Sequence, residues 1–222
     1  KLYVANLAEA NKELQELYDL EGSDKMQILK LLTRLRQLCL EPRLVYDNID
    51  QPSSKLKACM ELIKTMQENK QKVLLFSSFT SVLDLIAEEC QKAGITYYML
   101  TGSTNKEDRR ELVSRFQKDD TTVFLISLKA GGTGLNLTSA EAVIHFDPWW
   151  NVSAQNQATD RAYRIGQKNN VQVFNLVMKD SVEEKIIELQ KRKKELADMF
   201  VENNSGGLSQ MSKEDILSLF TM

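Results

Sequence analysis

The chain has 222 residues, 42% of them hydrophobic, enough for a sizeable core and one large domain with appendages. Its 29 Lys and Arg against 31 Asp and Glu leave a formal charge of -2, so any nucleic-acid contact has to rest on a local patch. Three widely spaced cysteines without a C-x-x-C pair argue against a disulfide framework or a zinc site, and one histidine, His145, argues against a metal cluster.

Cys39, Cys59 and Cys90 are expected to be buried thiols in a reducing compartment. No apolar run reaches the length of a membrane span and no signal-peptide pattern opens the chain, so a soluble intracellular protein without a membrane partner is expected. The sequence starts at Lys1 inside an amphipathic pattern, without an initiator Met, and reads as an excised fragment.

From residue 1 to about 40 the apolar spacing is helical: Tyr3, Leu7, Leu14 and Leu17, then Ile28, Leu31, Leu32, Leu35 and Leu38. A break at Glu21-Gly22-Ser23-Asp24, with Ser23 or Asp24 as N-cap, makes this a helical hairpin. Pro42, Asn48 and Pro52 mark a connector, so residues 1–54 form the first predicted region. Residues 55–180 alternate apolar strands at 73–76, 96–100, 122–126, 142–146 and 171–177 with helices at 55–68, 81–93, 106–118 and 153–165. Uniformly apolar strands between helices predict an α/β fold, a parallel sheet covered on both faces, with function in the loops beyond the strand C-termini. Residues 181–222 form the third region, a long helix carrying Val182, Ile186, Ile187, Leu189 and Leu196 and, after a polar break at 203–207, a short amphipathic tail at 213–220.

The loop after the third strand holds Gly131, Gly132 and Gly134, which let backbone N–H groups approach an anionic or bulky ligand, or else form a tight turn into a helix. The spacing fits no dinucleotide fingerprint, and no Gly-Lys-Ser/Thr stands anywhere in the chain, so no phosphate cradle of the Walker type is present. The fourth strand runs into Trp149-Trp150, of which at least one is expected to pack on the neighbouring helix while the other could stack against or wedge into DNA. Arg161 and Arg164, three apart on the predicted helix, form either a solvated pair near Asp160 or two guanidinium forks aimed at phosphates. The run Lys191-Arg192-Lys193-Lys194 reads as a solvated helix face.

In order, LLFSSF (74–79), LTGST (100–104), SLKAGGTGLNLT (127–138), HFDPWWN (145–151) and QATDRAYRIGQ (157–167) resemble the second, C-terminal RecA-like lobe of Swi/Snf-family ATPases of helicase superfamily two. The stretch 32–44 resembles the helical region preceding that lobe, and 182–200 the helix that braces across it. Carried over by position, the resemblance implies that Arg161 and Arg164 are arginine fingers reaching ATP across the inter-lobe cleft, with Gln157 and Asp160 organising the same motif. Gly132 and Gly134 belong to the loop that senses nucleotide. Ser78, Phe79, Gly102, Ser103 and Thr138 fall in motifs that touch the DNA backbone, Lys129 adds a phosphate contact, and Trp150, rather than Trp149, aligns with the tryptophan that engages DNA.

Val152 stands where many relatives have proline and Tyr163 where many have histidine, departures that bear on subfamily; the plain Ser127-Leu128-Lys129 and compact spacing resemble a bacterial member. The resemblance implies a DNA-dependent ATPase whose ATP is shared with the first lobe, whose Mg²⁺ is held by that lobe, and whose partners are double-stranded DNA and the N-terminal RecA-like lobe. The fragment alone is expected to be inactive and monomeric, and to reside in the cytoplasm or nucleoid of a bacterium or the nucleus of a eukaryote. Two other readings stay open: a self-contained nucleotide-binding α/β enzyme, and a non-catalytic DNA- or protein-interaction module whose helical arms dock a partner.

Overall fold

The computed structural model describes residues 2–19, 25–131, 135–162, 170–199 and 213–220. In chain order the elements are α1 (Leu2–Asp19), α2 (Lys25–Leu40), a 3-10 turn (Pro42–Leu44), α3 (Ser54–Glu68), β1 (Val73–Ser77), α4 (Thr80–Lys92), β2 (Tyr97–Leu100), α5 (Lys106–Phe116), β3 (Val123–Ser127), α6 (Leu128–Gly131), β4 (Ala142–His145), α7 (Val152–Thr159), β5 (Gln172–Asn175), α8 (Val182–Met199) and α9 (Lys213–Ser218). They fall into two compact units, residues 54–177 and residues 1–53 with 178–222.

In the unit 54–177 all five strands are parallel, in the order β2-β3-β1-β4-β5. The three central strands are buried along their length, as their continuous apolar sequences require once helices cover both faces. The edge strands differ: β2 is half-buried and β5 largely exposed. Phe76, Phe116, Phe124, Ile126 and Val143 belong to the fully buried core, and each buried phenylalanine contributes about 2–3 kcal/mol. Ser77 lies opposite Ser127, and Phe76 opposite His145, so the C-terminal ends of β1, β3 and β4 come level at one rim. The chain leaves β1 toward β2 on one side and β4 toward β5 on the other, which makes the crevice beyond β1 and β4 a topological switch point.

Helix α4 ends in a Schellman turn. Gly94, at φ +67°, donates to Gln91 O at 3.2 Å, and Ile95 donates to Cys90 O at 2.9 Å before entering the core. That left-handed conformation is the reason for glycine at this position. At the start of α5 the Asn105 side chain accepts from the amides of Glu107 and Asp108, a local cap that fixes where the helix begins.

Two expectations shift. The glycine-bearing loop opens as the helical turn α6 directly after β3. The helix predicted over 153–165 stops at Thr159, because its last turn tightens to three-residue bonds (Arg161 N to Ala158 O, Ala162 N to Thr159 O) and Leu137 N–H claims the Arg161 carbonyl. Arg161 therefore sits in a turn, and Arg164 lies outside the described residues.

The other unit is helical. Glu41, 1% exposed, accepts from Ser53 N at 2.9 Å and pairs with Arg43, which ties the 3-10 turn to the connector. Tyr3 Oη accepts from Val182 N at 2.7 Å, and Asn11 Nδ2 donates to Phe220 O at 2.7 Å, so α1 holds the start of α8 and Phe220 just after α9. Cys39, Cys59 and Cys90 are buried and form no disulfide; burial pushes the Cys90 thiol up to about 12 and raises Cys59 as well. Among the described residues no helix is long and apolar enough to cross a membrane.

Candidate nucleic-acid and nucleotide interface

Ser77 and Ser78 close β1 at the switch point, and the carboxylate of Asp147, just beyond β4, holds both. Asp147 Oδ1 accepts from Ser77 Oγ at 2.7 Å and from Ser78 N at 3.0 Å, and Oδ2 accepts from the Ser78 hydroxyl. Asp147 is 1% exposed, so these charge-assisted bonds form away from water, where they are strongest. Ser77 Oγ accepts in turn from Phe79 N at 3.2 Å, which sets the backbone as it enters α4. Asp147 belongs to a motif noted in the sequence, but its role was missed there; its partners lie 69 and 70 residues away.

Next to this node lies a cavity of about 660 Å³ lined by Ser78, Thr101, Gly102, Ser103, Ser127 and Lys129, with Asp84 the only carboxylate among the described residues that line it. Four of the residues predicted to touch a DNA backbone (Ser78, Gly102, Ser103 and Lys129) thus come together from the ends of three strands. The turn that carries two of them is internally bonded: Thr101 N–H donates to Thr104 Oγ1 at 3.1 Å, and the Thr101 and Ser103 hydroxyls meet at 2.8 Å. Among the described residues no protein acceptor takes the N–H of Gly102 or Ser103, so both amides are free to meet an anion. The Ser78 hydroxyl proton is committed to Asp147, so Ser78 contributes shape to the cavity more than a donor.

On the other flank of the 101–104 turn a second cavity, about 640 Å³, is lined by Thr104, Lys106, Arg109, Arg110, Leu135 and Asn136. Arg109 Nη1 donates to Ala130 O at 3.1 Å and so braces α6. Lys106 and Arg110, exposed one turn apart on α5, were not singled out in the sequence; a basic i, i+4 pair directly after LTGST was the available signal.

The remaining site residues divide. Phe79 is half-buried at the start of α4. Thr138 is half-buried in a loop clipped to α5 by Gln117, whose Nε2 donates to Asn136 O at 2.8 Å and whose Oε1 accepts from Ser139 N at 2.9 Å. Trp149 packs against the core, while Trp150 is half-buried. Gln157 and Asp160 are exposed, and Arg161 is 6% exposed. The Leu137 N to Arg161 O bond, 3.1 Å, joins the far end of the glycine loop to the arginine turn. Gly132, Gly134 and Arg164 lie outside the described residues.

His145 is 2% exposed and stacks on Phe76 with ring centroids 5.7 Å apart. Burial lowers its pKa to about 4 against an opposing pull from Asp147, so the ring is neutral at ordinary pH.

The family profile described as "Helicase conserved C-terminal domain" matches residues 54–166. An "Uncharacterized ATP-dependent helicase" of Mycoplasma pneumoniae is 37% identical over 213 residues, covering 96% of this chain and 21% of the relative. The "ISWI chromatin-remodeling complex ATPase ISW1" of Saccharomyces cerevisiae is 34% identical over 94% of this chain and 20% of its own length. The solved "Sulfolobus solfataricus SWI2/SNF2 ATPase core in complex with dsDNA" matches 97% of this chain and 47% of that one, with a TM-score of 0.74 and 31% identity. The chain spans about a fifth of the length of the curated relatives it matches.

Proposed function

Because the chain belongs to the helicase conserved C-terminal domain family, in its Swi/Snf branch, we propose that it is the second motor lobe of an ATP-dependent double-stranded DNA translocase. The observation that carries this reading is the convergence of Ser78, Gly102, Ser103 and Lys129 on one cavity at the strand C-termini. The Gly102 and Ser103 amides, the Ser103 hydroxyl and the Lys129 ammonium suit a sugar-phosphate backbone and carry no base code, as a motor that steps over any sequence requires. The relative bound to double-stranded DNA supports the same choice of ligand.

ATP would be shared with the first lobe. This chain has no Gly-Lys-Ser/Thr and so fits only part of a nucleotide site: guanidinium groups from Arg161 and Arg164, organised by Gln157 and Asp160, together with the nucleotide-sensing motif of Gly132 and Gly134. Mg²⁺ would be held by the first lobe. Bound between the lobes, the nucleotide supplies the phosphoryl-transfer chemistry, and guanidinium groups given across such an interface are worth on the order of 10³–10⁵ in rate. Arg161 is 6% exposed, and Leu137 N–H holds its carbonyl, which ties its turn to the end of the glycine loop.

The test is ATP turnover with and without double-stranded DNA, for this chain alone, for the chain mixed with its first lobe, and for full-length Arg161→Ala and Arg164→Ala. Silence alone, DNA-dependent turnover on mixing, and a loss of about 10³-fold or more in either variant with DNA affinity kept within about twofold are expected. Turnover by the chain alone, or near-normal turnover in both variants, would overturn the assignment.

A further inference from the structure

A part-buried side-chain contact joins the two halves of the proposed site. His145 Nε2 lies 2.9 Å from Thr159 Oγ1, and Thr159 is the last residue of α7, two before Arg161. On its other side His145 is fixed to the serine end of the sheet. Its ring stacks on Phe76, the residue before Ser77; Phe146 N donates to Phe76 O at 2.9 Å; and the next residue, Asp147, grips Ser77 and Ser78.

The proton arrangement follows from these contacts. The Thr159 hydroxyl is 3.3 Å from Gln155 O and donates to it, so the neutral imidazole carries its proton on Nε2 and donates to Thr159. Nδ1 then presents a bare lone pair, and among the described residues nothing meets it. Leucine or phenylalanine would fill the same space without burying an unmet polar atom, so the one bond the ring does make is the reason to have histidine here.

We propose that His145 and Thr159 are positioning residues that transmit occupancy of the Ser78–Lys129 cavity to the turn carrying Arg161. This inference rests on the motor reading above. A phosphate backbone settling on the end of β1 shifts Ser78, and with it Asp147 and β4; the imidazole passes that shift to the end of α7, where the turn bearing Arg161 hangs from the carbonyls of Asn156, Ala158 and Thr159. Turnover without DNA does not use this path.

The test compares His145→Leu, Thr159→Val and Thr159→Ser in the full-length protein, reading turnover with and without double-stranded DNA, KM for ATP, and Kd for DNA. Expected are a fall of about tenfold in DNA-stimulated kcat for the first two, with DNA-free kcat, KM and Kd within about twofold, and near-complete retention of stimulation in Thr159→Ser. The double variant His145→Leu/Thr159→Val should be no worse than either single change, since both break one link. Wild-type stimulation in Thr159→Val, or equal losses with and without DNA, would overturn the inference. If His145→Leu fails to fold, the near-isosteric Thr159→Val against Thr159→Ser decides alone. Arg161→Ala and Arg164→Ala in the same assay separate the failures: dead arginine variants beside a normal Thr159→Val remove only the tie, whereas normal turnover in both arginine variants removes the motor reading beneath it.

Discussion

Gly102 has no steric reason within the fold to be glycine. A Cβ built there meets nothing within 4 Å, and the backbone is not in the left-handed region. The missing side chain therefore leaves room for something outside the chain, in line with its place on the cavity wall and its free amide. Gly102→Ala should change the free energy of unfolding by less than about 1 kcal/mol, in the stabilising direction, because alanine restricts the unfolded chain. Affinity for double-stranded DNA should nevertheless fall about tenfold, as a methyl group keeps a phosphate off the amides. Unchanged affinity in a binding titration would take the 101–104 turn off the DNA path. Residues such as Gly102, Ser103 and Lys129 were legible in the sequence because they stand in short contiguous motifs. Asp147 and the His145–Thr159 pair were not, since a carboxylate's or an imidazole's role depends on partners that only the folded sheet brings near.

At the scale of elements, the sheet was legible because buried parallel strands have to be apolar on both faces, and the central strands carry unbroken apolar runs. The end of α7 was not. Nothing in the sequence after Thr159 forbids another helical turn, and what stops it is an amide from a distant loop, Leu137 N–H, taking the Arg161 carbonyl. Asp147 works at the same scale, since its carboxylate ties the segment after β4 to the end of β1 at the switch point. Asp147→Ala would strand the Ser77 hydroxyl and the Ser78 amide at a buried seam, with a loss of about 3 kcal/mol in a denaturant titration. Asp147→Asn, which keeps an acceptor of the same shape, should lose less than half of that. A loss under about 1 kcal/mol in Asp147→Ala would mean that the strand ends hold their positions without the clamp.

For the molecule as a whole, a formal charge of -2 means that no global field draws it to DNA. Binding by this chain has to come from the few cations beside the strand ends. Among the described residues lining the two cavities these are Lys129, Lys106 and Arg110, with Arg109 set aside because it is engaged with Ala130 O. Each phosphate neutralised on a duplex contributes about -0.9 to the slope of log K against log salt, so three predict a shallow slope of about -3 for the isolated chain. Lys106→Ala, Lys129→Ala and Arg110→Ala should each reduce it by about one, weakening binding evenly across DNA sequences. The motif-based reading, with Lys129 as its only phosphate-binding lysine, predicts a slope near -1, so the measurement separates a contact confined to the motifs from one that continues along α5. A slope of -6 or steeper would require cations beyond both cavities, and the basic run Lys191-Arg192-Lys193-Lys194 would be the first place to substitute.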